Sequence, residues 1–303
     1  MPVRVVALVL SCAAALLTSP ALAGAAPSGD PAEWLFTPSE VVQVDLTLGQ
    51  GAIEDLAVEP GEYVPAGFEL HGSGGRAFGP WAIQLKLKGN ASFRTLAGKA
   101  AFKLKFPSGS RPSGLKKLTL NNMVQDPSKV REVIAYDLFR AMGVAAPRAG
   151  YAQVRVNGAD YGLYLNVETL DSVALPHWFS STEHLYEGTY DYGTGTPLST
   201  LEPGGEAFFE VDEGDEDDRA DLQGLIAALQ NGGPLASALG GHADLHQMVR
   251  MLATEAVLGD WDGYGWNVNN FYLHADAAGR FSLLPWGADQ TLQSWVPVEG
   301  GPW

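Results

Sequence analysis

The sequence predicts an α+β protein in two lobes, rich in strands before about residue 170 and helical after it. Segments that alternate apolar and polar side chains crowd the first half. Beyond Thr169 the spacing becomes helical, separated by Gly-, Thr- and Pro-rich stretches. No internal repeat is present. A chain of 303 residues with 46% apolar content can bury a sizeable core, either as one large domain or as two lobes.

Residues 1–23 read as a secretory signal, with Arg4 as a minimal basic start, Val5–Leu17 as the apolar stretch and Ala21-Leu-Ala23 as a small-residue cleavage site. The run is too short to predict a membrane span, and no second candidate follows in the mature chain. Export to the envelope or medium is therefore expected. Cys12 lies in this segment and leaves the mature chain without cysteine, so neither a disulfide nor a thiolate metal site is available. A lipid anchor on Cys12 is the competing reading.

Residues 24–33 form an Ala/Gly/Pro/Ser linker, and the β-rich lobe is expected over 34–169. Val41–Leu48 alternates as a half-buried strand does, as do Trp81–Lys88 and Ala101–Phe106 around a polar loop. Asp126–Gly143 predicts a helix, with Pro and Ser at its start, Val130, Val133, Ile134 and Leu138 at helical spacing, and Gly143 as its stop. Tyr151–Gly158 and Tyr161–Glu168 predict a hairpin turned by Asn157-Gly158. The C-terminal lobe, 170–303, is expected to be helical near 220–229 and 244–258. The acidic run 212–218 lacks the spacing of a calcium loop and reads better as a solvated helix start. The chain stops at Trp303 without an evident closing helix, which suggests a fragment of a longer lobe.

Charge excludes some partners. There are 19 basic and 35 acidic residues, a net charge of −16, and −17 once the signal with Arg4 is removed. Such a chain has no general basic surface for a nucleic acid polymer or an anionic membrane, so a nucleotide must meet a local Lys or Arg cluster. The last fifty residues supply complementary parts: Asp262, carboxamides at Asn267, Asn269 and Asn270, and Asp289. One acid to orient an attacking hydroxyl and further oxygen ligands for magnesium are what phosphoryl transfer requires.

The motifs Leu87-Lys-Gly-Asn-Ala-Ser-Phe93, Gly98–Phe106, Leu118–Asn122, Val130-Arg-Glu132, Val156–Tyr164, Trp261-Asp-Gly-Tyr264, Asn269–Leu273 and Pro285-Trp286, in that order, resemble the CotH kinase family from about Leu35 to the end. The resemblance implies a divergent protein-kinase-like fold. It also implies use of ATP with Mg²⁺ or Mn²⁺, and phosphorylation of Ser or Thr on an exported or coat protein. It assigns the catalytic acid to Asp262 and the metal-binding carboxamide to Asn270, with Asn267 as rival because it stands five residues after Asp262. Lys99 and Lys105 are the candidates for phosphate contacts, Glu132 for the partner of such a lysine, and Glu168 for the connection between lobes. Where the family often carries an acid after Pro-Trp, this chain has Gly287, which leaves Asp289 as the metal carboxylate.

An active kinase, a catalytically silent scaffold and a metal-dependent hydrolase thus compete. The hydrolase reading lacks a nucleophile elbow or zinc spacing.

Overall fold

Alternation in the first half closes into a barrel. The computed structural model describes residues 29–231 and 234–293, so the expected signal segment, with Cys12, lies outside the described residues. β1 (Val41–Thr47) is followed by helix α1 (Gln50–Val58), then β2 (Val64–His71), β3 (Ala77–Lys88), β4 (Ala101–Lys105) and β5 (Lys117–Asn121). Helix α2 (Arg131–Ala141) precedes the hairpin β6 (Ala149–Val156) and β7 (Ala159–Val167). The barrel order is β1-β2-β3-β4-β5-β7-β6; β6 closes on β1 in parallel and every other pair is antiparallel. Asn157 and Gly158 both have positive φ, as a two-residue hairpin turn requires.

Each strand turns one face into the barrel. Leu85 and Leu87 of β3, Phe102 and Leu104 of β4, and Leu118 and Leu120 of β5 are buried in one apolar cluster, each contributing about 1.5–3 kcal/mol when fully buried. Period-2 geometry then commits Lys86, Lys88, Lys103, Thr119 and Asn121 to the opposite face. Register aligns them, with Lys86 opposite Lys103 and Lys103 opposite Thr119.

After the barrel come β8 (His184–Glu187), the short pair β9 (Tyr190–Asp191) and β10 (Thr196–Pro197), and β11 (Glu210–Glu213). Helices α3 (Ala220–Gln230), α4 (Leu235–Leu239), α5 (Leu245–Leu258) and α6 (Tyr264–Asn267) lead to β12 (Phe271–Ala275) and β13 (Phe281–Pro285). The expectation of a helical second half is therefore corrected. An antiparallel sheet ordered β11-β8-β12-β13 lies at its centre, and α5 packs on β13. β12 and β13 are buried along their whole length, which removes the alternation by which a strand is recognised. Among the described residues no helix is long and apolar enough to cross a membrane.

Two helix details also differ from expectation. α2 starts at Arg131, where the Asp126 carboxylate accepts the N–H groups of Ser128 and Arg131. Its buried face is Glu132, Val133, Ala135, Tyr136 and Phe139, whereas Val130 and Ile134 are exposed. α5 is capped by Asp244, which accepts the N–H of Gln247. The acidic run splits between β11 and the approach to α3, where Asp218 accepts the N–H of Ala220. The end of the expected linker is packed, with Ala32 buried and Asp30 paired to Arg148.

Candidate active site

The outward face of β3–β5 and the second sheet enclose a cleft of about 420 Å³. It gathers Lys88, Lys103, Asn121, Glu132, Asp262, Asn270 and Asp289 from segments far apart in the chain.

Asp262 lies in the connection between α5 and α6, and three carboxamides hold it. Asn267 and Asn269 donate to Oδ1 at 2.9 and 3.1 Å, and Asn270 donates to Oδ2 at 2.9 Å. Charge-assisted bonds on both oxygens fix the carboxylate's orientation. Asn270 adopts φ +51°, a conformation tolerated by Asn, just before β12. The Asn267 carbonyl oxygen accepts the Tyr190 hydroxyl at 3.1 Å, whereas that of Asn270 faces Gly287. Of the two rivals, Asn270 lines the cleft.

The loop itself rests on a residue that the sequence reading missed. Glu255, buried on α5, accepts the N–H groups of Tyr264 at 3.0 Å and Gly265 at 2.8 Å. Burial pushes its carboxyl up to about 7, against the opposing effect of those two bonds. The available signal was a charged residue on an apolar stripe, because Met251, Thr254, Glu255 and Leu258 share the buried face of α5. Nearby Asp260 is raised well above the usual carboxylate range by burial and by its neighbours Glu255 and Asp262.

On the barrel side, Glu132 accepts both Asn121 bonds, at 2.9 and 3.1 Å, and the Tyr136 hydroxyl at 3.0 Å. Asn121 in turn accepts from Lys88 Nζ at 2.8 Å. The lysine connected to Glu132 is thus Lys88, whose ammonium also stands 5.4 Å from the Trp286 ring centre. Burial lowers its pKa despite the charge of Glu132. For Lys103, burial alone would lower the pKa, but Asp212 and Glu187 hold it above the ordinary value.

Three expected site residues fall outside the cleft. Lys99 donates to the Leu163 carbonyl at 2.6 Å and lies over the Tyr164 ring. Lys105 shares a strand face with Lys103 but lies two residues, roughly 7 Å, further along β4, beside the Tyr63 ring. Glu168 is buried in an ion cluster, 2.6 Å from Arg148, which also reaches Asp30 at 2.5 Å. Strand alternation defined the correct face of β4 but not which end of it meets the second sheet. Lys88 could have been found by the same alternation on β3.

Asp289 lines the cleft, and burial, reinforced by Glu132, pushes its carboxyl up to about 7. Gly287 has φ +54°, and a Cβ there would stand 3.0 Å from Asn270 Oδ1. An acid at 287 would thus be strained and would crowd Asn270. Its N–H donates to the Tyr136 hydroxyl at 3.0 Å, linking this turn to Glu132. Among the described residues no three His, Cys, Asp or Glu side chains converge to hold an ion. The cleft instead offers the hard oxygens of Asp289 and Asn270 beside Asp262, a donor set that fits Mg²⁺ or Mn²⁺ when phosphate oxygens supply the remaining ligands.

Comparison with known proteins places the chain in a family. Residues 85–301 match the family model described as CotH kinase protein. The chain is 28% identical over 201 residues to inner spore coat protein H of Bacillus subtilis, covering 64% of this chain and 54% of that protein. It is 22% identical over 208 residues to spore coat protein homolog 1 of Rhizopus delemar, covering 60% and 31%. An inner spore coat protein H-like protein of Bacillus subtilis is 42% identical over 55 residues, 18% of each chain. The chain therefore spans about half the length of the first of these relatives and less of the other two. With most of its length matched by the family model, the chain belongs to the CotH kinase protein family.

Proposed function

We propose that this protein is an exported, kinase-like phosphotransferase that moves the γ-phosphoryl group of ATP to a Ser or Thr hydroxyl of an envelope or coat protein. The observation that carries the reading is the Asp262 carboxylate, fixed by three carboxamides in one cleft with the Lys88–Asn121–Glu132 relay. In this reading the barrel and the second sheet act as the two lobes of a divergent kinase-like fold, joined near residue 170. The names of two relatives as spore coat proteins support a coat or envelope setting.

Asp262 accepts a hydrogen bond from the substrate hydroxyl and aligns it for in-line attack. Lys88, held by Asn121, contacts phosphate oxygens, and Lys103 adds a second cation at the cleft wall. Glu132 is a positioning residue that keeps the relay in place. Asp289 and Asn270 would hold a divalent ion, which would supply positive charge to offset that of the phosphates. Glu255 fixes the Asp262 loop.

A catalytically silent scaffold is the second reading, favoured by the absence of a carboxylate at Gly287. Thermal melting of the intact protein with Mg-ATP tests the site. Binding at 100 times the dissociation constant raises stability by about 2.7 kcal/mol. No shift with ATP and either Mg²⁺ or Mn²⁺ would reject a nucleotide site.

A further inference from the structure

A second cavity, of about 230 Å³, lies among the end of α2, helix α5 and the β12–β13 turn, apart from the cleft residues. Its walls include Trp178, Phe179 and His274, and it is also lined by Arg250 and Arg280. Phe179 stacks on His274 with ring centres 3.6 Å apart. Burial holds His274 down at about 4, so at neutral pH the ring is uncharged and the two guanidinium groups are the cavity's cations.

Those cations are unspent. Arg250 Nε is buried without a hydrogen-bond partner, and among the described residues neither Arg250 nor Arg280 forms an ion pair. Two acids also line the cavity, but neither pairs with an arginine: Asp244 caps α5, and Asp276 accepts the backbone N–H groups of Ala278 and Arg280. Gln247 is also satisfied, exchanging bonds with both backbone groups of Leu283. In a chain with 35 acids against 19 bases, a buried guanidinium N–H without a partner, on a residue that lines a cavity, marks a place for an anion. The flat walls select its carrier, because guanidinium and indole planes both stack on aromatic rings.

We propose that this cavity binds a small aromatic anion, a phosphate monoester on a single ring, with the phosphate on Arg250 and Arg280 and the ring beside Trp178 and Phe179. The inference is independent of phosphoryl transfer in the cleft.

Calorimetric titration of the intact protein with phenyl phosphate, inorganic phosphate and phenol tests it. Phenyl phosphate binds saturably, more tightly than either fragment. Arg250→Gln weakens it by about tenfold or more, the loss of a charge-assisted bond, and so does the more exposed Arg280→Gln, which is less exposed to a folding defect. Lys88→Met, which alters the cleft alone, leaves the affinity unchanged. Absence of saturable binding overturns the proposal. So does binding that survives both arginine variants or disappears with Lys88→Met. Equal affinity for inorganic phosphate would overturn the assignment of an aromatic carrier.

Discussion

Two lysines, Lys88 and Lys105, compete for the phosphate contact in the proposed site. Lys88 reaches Glu132 through Asn121, whereas Lys105 stands beside Tyr63 outside the cleft. Lys88→Met should weaken Mg-ATP binding by about tenfold or more, and Lys105→Ala should leave it within about twofold, as calorimetry would record. The reverse order would return the phosphate contact to Lys105. Asp262, Asn270, Asp289 and Glu132 were legible in the sequence because short, ordered motifs carry them, and all four line the cleft. Lys99 and Glu168 were misplaced because their partners, the Leu163 carbonyl and Arg148, are distant backbone and side-chain groups that no local pattern announces.

At the scale of elements, α5 and the loop beyond it form one unit through Glu255. Its folded carboxyl is raised to about 7 from an ordinary value of 4.5, so the native state retains a proton that the unfolded chain has released. The associated stability is full below about pH 4.5 and is lost as pH rises through about 7. Glu255→Gln, similar in shape to the protonated acid, should flatten that decline, by roughly 1–3 kcal/mol across the window. Parallel stability curves for parent and variant in denaturant titrations would contradict the assignment. Element legibility followed alternation: β1, β3, β4 and the β6–β7 hairpin stood out. β2 did not, since Pro65 and Gly67 interrupt an otherwise alternating strand. β8, β12 and β13 are short and buried, so their side chains carry no polar face to mark a period.

For the whole molecule, a buried ion cluster ties the N-terminal approach to the end of the hairpin. Arg148 bridges Asp30 and Glu168, and its guanidinium lies over the Phe36 ring. Arg148→Ala would remove the guanidinium from two buried carboxylates and leave only His177 beside them, a loss of about 3–5 kcal/mol that chemical denaturation would measure. A change below about 1 kcal/mol would mean that the carboxylates find other partners. The net charge of −16 bears on the cleft as well, because Lys88 and Lys103 would meet phosphate within an acidic field that includes Glu187 and Asp212. In the proposed reaction Asp262 orients a hydroxyl in this cleft. Transfer of label from γ-labelled ATP to a Ser-containing acceptor protein, for the parent and Asp262→Asn alongside their Mg-ATP affinities, tests it most directly. The expected outcome is transfer by the parent, a loss of about 100-fold or more in the variant, and nearly equal nucleotide affinity for both. Undiminished transfer by Asp262→Asn would contradict it.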